Sequence, residues 1–283
     1  MNASDRSVST PSGFLAIDVG SSRVKLGWFP PPGECTTEIE RTLFPIAAPQ
    51  LPQPEKTLAV SHRGEADLHA EISEWIEQVG AIESRRFVAS VHPGAMAAVQ
   101  GIFAGDLRVL THVDLPIEVR VDQPERVGID RLLNAVAVNR LRPPQQPAIV
   151  VDLGTACTVD LIAPDGAFEG GAIFPGTTLA ATALHSGTAT LPQLTAESFA
   201  SPPVVVGKST QAAISAGLYW GIVGAVYELV ARIRRECPEP PQLFLTGGEA
   251  SRLVAHLTSD IQKPRHLPNL VLSGIATLAE ELS

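Results

Sequence analysis

The sequence predicts an α/β protein made of two tandem, internally similar domains, each a mixed sheet flanked by helices, with a cleft between them. Three observations carry that expectation. Strand-like and helix-like apolar periodicities alternate along the chain. The segments Asp18-Val19-Gly20-Ser21-Ser22 and Asp152-Leu153-Gly154-Thr155-Ala156 each sit between two apolar runs, about half the chain apart, as an internal duplication would place them. With 283 residues, 45% of them hydrophobic, the chain can fill two cores.

The elements follow in order. Residues 1–13 are rich in Ser, Thr, Asn and Pro with no apolar run, and read as a flexible leader and not as a secretory signal. Phe14–Phe29 is an apolar run, a tight turn and a second apolar run: a β-hairpin. Pro30–Pro54 is proline-heavy and aperiodic, an edge strand with loops or an irregular excursion. From Glu65 to Val79, apolar residues at Leu68, Ile72, Trp75, Ile76 and Val79 predict an amphipathic helix, and Arg86–Val91 a short buried strand. Arg131–Leu141 is a second helix, ended by Pro143, Pro144 and Pro147. Ala148–Leu153 and Cys157–Ala163 are strands around a Gly154-Thr155 turn, closed by Pro164-Asp165-Gly166. A long helix over Thr210–Arg235, a strand over Gln242–Thr246 ending at Gly247-Gly248, and a final helix over Val271–Leu282 complete the chain. The expected domains are 14–126 and 127–283, with the last helix able to pack back on the first.

Composition excludes several classes. The net charge is −9 and the basic residues are scattered, so nucleic acid is not an expected partner. Cys35, Cys157 and Cys237 are widely spaced with no CxxC pair, which reads as free thiols in a reducing compartment, the cytoplasm. Thr210–Tyr227 is uncharged, but Gln211, Ser215 and Glu228 mark a buried helix, so no membrane partner is expected.

The chemistry starts from the hairpins. In a strand–Asp-x-Gly-(Ser/Thr)–strand turn, glycine lets the backbone approach a phosphate, N–H groups and hydroxyls donate to it, and the aspartate holds magnesium. One such turn is usually only a turn; two in matched contexts point to nucleotide phosphates. Leu245-Thr246-Gly247-Gly248-Glu249 adds a strand running into paired glycines, a place for a nucleotide's sugar or phosphates. Gly207-Lys208-Ser209-Thr210 imitates a Walker A loop, but position 202 is proline where that loop needs glycine, and no glycine lies between. Phosphoryl transfer to an alcohol calls for a carboxylate base. Gly128-Ile129-Asp130-Arg131 supplies the candidate: Asp130 as base, Arg131 as a positive fork for an anionic substrate. Local pattern alone favours a helix-start aspartate beside a surface arginine.

The two hairpins and the glycine pair together resemble the three-part signature of the actin-like (ribonuclease H-like) ATPase superfamily, which includes sugar kinases and heat-shock ATPases. Within it, six ordered stretches resemble bacterial type III pantothenate kinase: Asp18–Ser22; Val127–Arg131; Asp152–Asp160; Gly170-Gly171-Ala172-Ile173-Phe174-Pro175-Gly176; Thr188-Ala189-Thr190-Leu191-Pro192; and Gly207–Thr210. The resemblance implies ATP-dependent phosphorylation of pantothenate to 4′-phosphopantothenate, the first step of coenzyme A biosynthesis. It implies ATP binding by Asp18, Val19, Gly20, Ser21, Ser22, Arg23, Val24, Lys25 and Thr155, with Asp18 holding magnesium through water. Asp130 becomes the proton acceptor, and Val121, Gly128, Ile129, Asp130, Arg131 and Thr210 the pantothenate contacts. Asp152 becomes the ligand of a monovalent cation, K⁺ or NH₄⁺. A homodimer is implied, with Thr210 reaching the partner's substrate.

Two positions depart from the family pattern. Ser21 stands where asparagine is usual, and Val121 where tyrosine is common. Two other readings stay open at this stage: a kinase of the same superfamily for another small alcohol, and a catalytically silent nucleotide-binding accessory protein.

Overall fold

The computed structural model describes residues 13–31, 51–62, 67–253, 256 and 264–282. The leader (except Gly13), most of the proline-rich stretch and Cys35 lie outside the described residues. The chain divides into two compact units: one runs to Asp114 and takes in the helix from Val271 onward, the other is Leu115–Leu270.

In the first unit the hairpin is β1 (Phe14–Val19) and β2 (Arg23–Phe29), paired antiparallel in the register Phe14↔Phe29 to Val19↔Val24. All six β1 residues are buried, as a central strand with both faces covered requires. β3 (Lys56–Ser61) adds antiparallel to β2, while β4 (Arg85–Ser90) and β5 (Arg108–Val109) add in parallel on the other side. The sheet order is β3-β2-β1-β4-β5. Helix α1 (Leu68–Val79) opens on Asp67, whose carboxylate accepts the Ala70 N–H at 3.1 Å, and closes on Gly80 at φ 69°. It buries Ile72, Trp75 and Ile76, each worth roughly 1.5–3 kcal/mol on full burial. Helix α2 (Pro93–Ile102) follows β4, with proline at its first position.

The second unit repeats this plan. After α3 (Ile129–Leu141), β6 (Ala148–Leu153) and β7 (Ala156–Ile162) pair antiparallel, and β8 (Phe168–Pro175) adds antiparallel to β7. β9 (Gln242–Thr246) and then β10 (Arg265–His266) add in parallel, giving the order β10-β9-β6-β7-β8. Strand for strand, β6, β7, β8, β9 and β10 correspond to β1, β2, β3, β4 and β5. The duplication expected from the two Asp-x-Gly segments is therefore a duplication of the whole sheet.

Helices α4 (Thr177–Ser186), α5 (Thr210–Glu236), α6 (Ala250–Leu253) and α7 (Leu270–Glu281) complete the set. By length and apolarity α5 passes the test for a membrane-crossing helix. Its buried residues Ser215, Ala216, Tyr219, Ile222, Val223, Val226 and Val230 recur three and four apart, and the last five pack with Ile149, Val151 and Leu245 in the core of the second sheet.

The elements the sequence leaves unpredicted share a cause. α2 and α4 are dominated by small residues, so neither shows a strong apolar stripe. β8 carries Gly170-Gly171, which weakens any strand signal.

Candidate active site

The first hairpin turns at Gly20–Ser22, where the Gly20 N–H donates to the Arg23 carbonyl at 3.0 Å. Asp18, 5% exposed, sits one residue from the end of β1, and its register partner Lys25 brings Nζ to 3.8 Å from Oδ2. Ser21 and Arg23 are exposed on the turn, Ser22 half-buried, and Val19 and Val24 belong to the core.

The second hairpin has the same form. Asp152 sits one residue from the end of β6, opposite Thr246 of β9, and the Gly154 N–H donates to Ala156 O at 3.3 Å. Thr155 is half-buried at the tip, and its carbonyl accepts the Gly176 N–H at 3.0 Å. The glycine pair follows β9 directly. Gly247 has φ +95°, and a Cβ there would stand 2.5 Å from both Asp152 Oδ1 and Leu153 O, so this close approach needs glycine. Glu249 donates its N–H to Leu153 O at 2.9 Å, and its Oε1 accepts the Thr177 hydroxyl at 2.6 Å.

Asp130 lies in the first turn of α3, where its Oδ1 accepts the Arg131 N–H at 2.9 Å. Burial is the main cause that pushes its carboxyl above the ordinary range; the negative charge of Asp152 adds to it. A carboxylate held up in this way is a better proton acceptor near neutral pH than a free aspartate.

Its neighbour Arg131 is committed elsewhere. The guanidinium grips Asp160 of β7 through Nε, at 3.2 and 3.1 Å, and through Nη2, and lies 5.2 Å above the Phe168 ring. Asp160 is 2% exposed, so this is a buried ion pair. Room for it comes from Gly171, the register partner of Asp160, where a Cβ would strike Val159 O and the Asp160 carboxylate. Asn134, one turn along α3, is 2% exposed and donates from Nδ2 to Asp152 Oδ2 at 3.0 Å. Arg131 and Asn134 thus tie the first turns of α3, where Asp130 sits, to the β6–β7 hairpin.

A sequence model described as "Type III pantothenate kinase" matches residues 14–232. The chain belongs to the type III pantothenate kinase family. Among relatives carrying that name, the protein of Phenylobacterium zucineum is 42% identical over 164 residues, 58% of this chain and 61% of the relative. That of Sphingopyxis alaskensis is 34% identical over 280 residues, 94% of this chain and 97% of the relative. The chain thus spans about three-fifths of the first relative's length and nearly all of the second's. A solved structure, (R)-2-hydroxyglutaryl-CoA dehydratase component A of Acidaminococcus fermentans, superposes with a TM-score of 0.52 at 14% identity, covering 96% of this chain and all of that one. That likeness bears on the fold alone. The duplicated mixed sheets are the actin-like arrangement expected from the sequence.

Within this type III pantothenate kinase family chain, the structure groups some of the expected residues and sets another apart. Val121 comes within 3.3 Å of where a Cβ at Gly170 would stand, so Val121 and Arg131 both lie against the Gly170–Gly171 stretch of β8. Gly128 is the N-cap of α3, and Ile129 is buried beneath it. Thr210 stands exposed as the first residue of α5, with Ser209 as N-cap. No strand precedes this turn, so it is a helix cap and not a Walker loop.

Asn134, Asp160, Thr177 and Glu249 are site neighbours that sequence reasoning does not assign. Asp160 and Glu249 fall inside quoted motifs, but only the β7/β8 register and the α3 geometry give them roles. Among the described residues no three His, Cys, Asp or Glu side chains converge as a metal-ligand set. Asn134 Oδ1 and Glu249 Oε2 are nonetheless buried acceptors without a hydrogen-bond donor. Asn134 also holds Asp152, so its bare Oδ1 and the Asp152 carboxylate are hard oxygens of the kind that suits a cation.

Proposed function

We propose that this protein phosphorylates pantothenate from ATP, giving 4′-phosphopantothenate and ADP, with Asp130 as the general base. The observation that carries the reading is the Asp130 carboxyl: half-buried, raised by burial and by Asp152, in a chain that belongs to the type III pantothenate kinase family. Each unit carries an Asp-x-Gly hairpin of the kind that holds phosphate: Asp18–Lys25 in one, Asp152–Thr155 in the other.

The chain's own residues divide the work. Asp130 accepts the proton of the pantothenate primary hydroxyl as that oxygen takes the γ-phosphoryl group. Arg131, locked on Asp160, fixes the first turn of α3 and so the direction in which Asp130 points; Gly128 and Ile129 open the same turn. Glycines 20, 154 and 247 let backbone N–H groups come close to phosphate oxygens. Magnesium, with Asp18 as its indirect ligand, and a monovalent cation at Asp152 would supply charge neutralisation for the crowded phosphates. Asn134 fits the second of these: it holds Asp152 through Nδ2 and keeps a buried Oδ1 without a donor.

The same proposal makes the active unit a homodimer in the cytoplasm. Val204, Val205 and Val206 are 72, 71 and 68% exposed immediately before Gly207, and Leu179 and Leu184 are exposed on α4, which packs against α5. Such an apolar run beside Thr210 suits an interface that brings Thr210 to a partner's substrate. Light scattering should give twice the chain mass, and Val205→Asp should halve it.

A panel of small primary alcohols, with the phosphorylated product identified by mass spectrometry, tests the substrate. Phosphopantothenate as the preferred product is the expected result. Phosphorylation of another alcohol in preference would replace pantothenate and leave the kinase reading.

A further inference from the structure

The end of β3 meets the first hairpin's turn at two points. The His62 N–H donates to the Ser22 carbonyl at 3.3 Å, and the imidazole Nε2 lies 2.9 Å from the Gly20 carbonyl oxygen. A carbonyl only accepts, so Nε2 carries a proton and donates. The ring is held in turn by His92, at 4.6 Å between centroids and tilted 49°. His92 is itself fixed as the N-cap of α2: its Nδ1 accepts the Ala95 N–H at 3.0 Å, and its backbone N–H donates to Ser90 Oγ at 3.1 Å.

The duplicated sheets show what this contact replaces. His62 follows β3 as Gly176 follows β8, and both backbone N–H groups bond the last residue of the facing turn, Ser22 and Thr155. In the second unit Gly176 comes so close to the Gly154 carbonyl that a Cβ would collide with it. In the first unit the equivalent carbonyl, Gly20 O, is met instead by the His62 side chain. Both halves therefore constrain the same peptide, one by backbone contact and the other by an imidazole.

We infer that His62 is a positioning residue of the nucleotide site, pinning the Gly20–Ser21 peptide so that the turn keeps one orientation toward phosphate. In a trans peptide the C=O and the following N–H point in opposite directions, so fixing Gly20 O aims the Ser21 N–H away from the imidazole. The inference rests on reading Gly20–Ser22 as a phosphate-holding turn.

The test compares His62→Asn with His62→Gln. The glutamine amide reaches as far as Nε2 and keeps a donor; the asparagine amide is one methylene short. ADP and a non-hydrolysable ATP analogue are titrated with magnesium by calorimetry, alongside steady-state kinetics, after melting curves establish that both variants fold. His62→Asn should bind nucleotide about five- to tenfold more weakly, the scale of one lost hydrogen bond. Its KM for ATP should rise more than kcat falls, its KM for pantothenate should hold, and His62→Gln should recover most of the loss. Wild-type nucleotide affinity in His62→Asn, or a His62→Gln variant as weak as His62→Asn, would overturn the role of His62 while leaving the kinase reading intact. Wild-type protein that binds no nucleotide would overturn the phosphate reading and the inference with it.

Discussion

Asp130 is held where its charged form is disfavoured, and that has opposite consequences for catalysis and stability. Its folded-state carboxyl lies above the ordinary range, so the folded chain binds this proton more tightly than the unfolded chain. The resulting destabilisation is absent below the ordinary carboxyl range and fully present above the raised value. Asp130→Asn should therefore melt at the same temperature as wild type or higher at neutral pH, while losing about 10²-fold or more in turnover, the scale of a general base. Calorimetry beside a rate assay checks both. The acid limb of kcat/KM should fall at a higher pH than an unperturbed aspartate gives, and the limb should move to lower pH wherever residual activity in Asp152→Asn can be followed. Cys157 makes a quieter case: burial is the largest cause that pushes its thiol up to about 12, so it should resist alkylation at pH 8 until the protein is unfolded.

The link between α3 and the β7–β8 pair is the element that holds the site in shape. Breaking one partner of a buried ion pair strands the other charge, so Arg131→Ala or Asp160→Ala should cost about 3–5 kcal/mol in urea unfolding. Gly171→Ala should also destabilise, because its Cβ would strike Val159 O and the Asp160 carboxylate. These contacts set the limit of what the sequence discloses. The hairpins at Phe14–Phe29 and Ala148–Ala163, the helix before Pro143 and the long helix from Thr210 are legible because each has a strong period and clear turn residues. The Arg131–Asp160 pair is not, since 29 residues separate its members and only strand register brings them together. Local pattern suggests a surface charge, and the functional reading a fork open to substrate; the structure places Nε and Nη2 on an internal carboxylate. Asn134 is hidden similarly, as one polar residue in the apolar stretch Leu132–Val138.

At the scale of the whole molecule, the two Asp-x-Gly turns signalled a duplication whose extent only the sheets disclose. Five strands recur in one order with one pattern of parallel and antiparallel pairing, and each copy places its aspartate one residue from the end of the first strand. The copies then diverge where function would demand it. The loop after β9 is Gly247-Gly248, whereas the loop after β4 is Val91-His92, and the end of β3 carries His62 where β8 is followed by Gly176. β3 and α2 escaped the sequence reading, yet they support the first turn through His62 and His92. The central claim concerns the assembled enzyme: ATP turnover that depends on pantothenate and on a monovalent cation. The deciding measurement is ADP release by the purified protein with magnesium and ATP, with and without pantothenate, in potassium and then in sodium buffer. Release that requires pantothenate and is faster in potassium is the predicted result; no release in any buffer, or release indifferent to pantothenate, would contradict it.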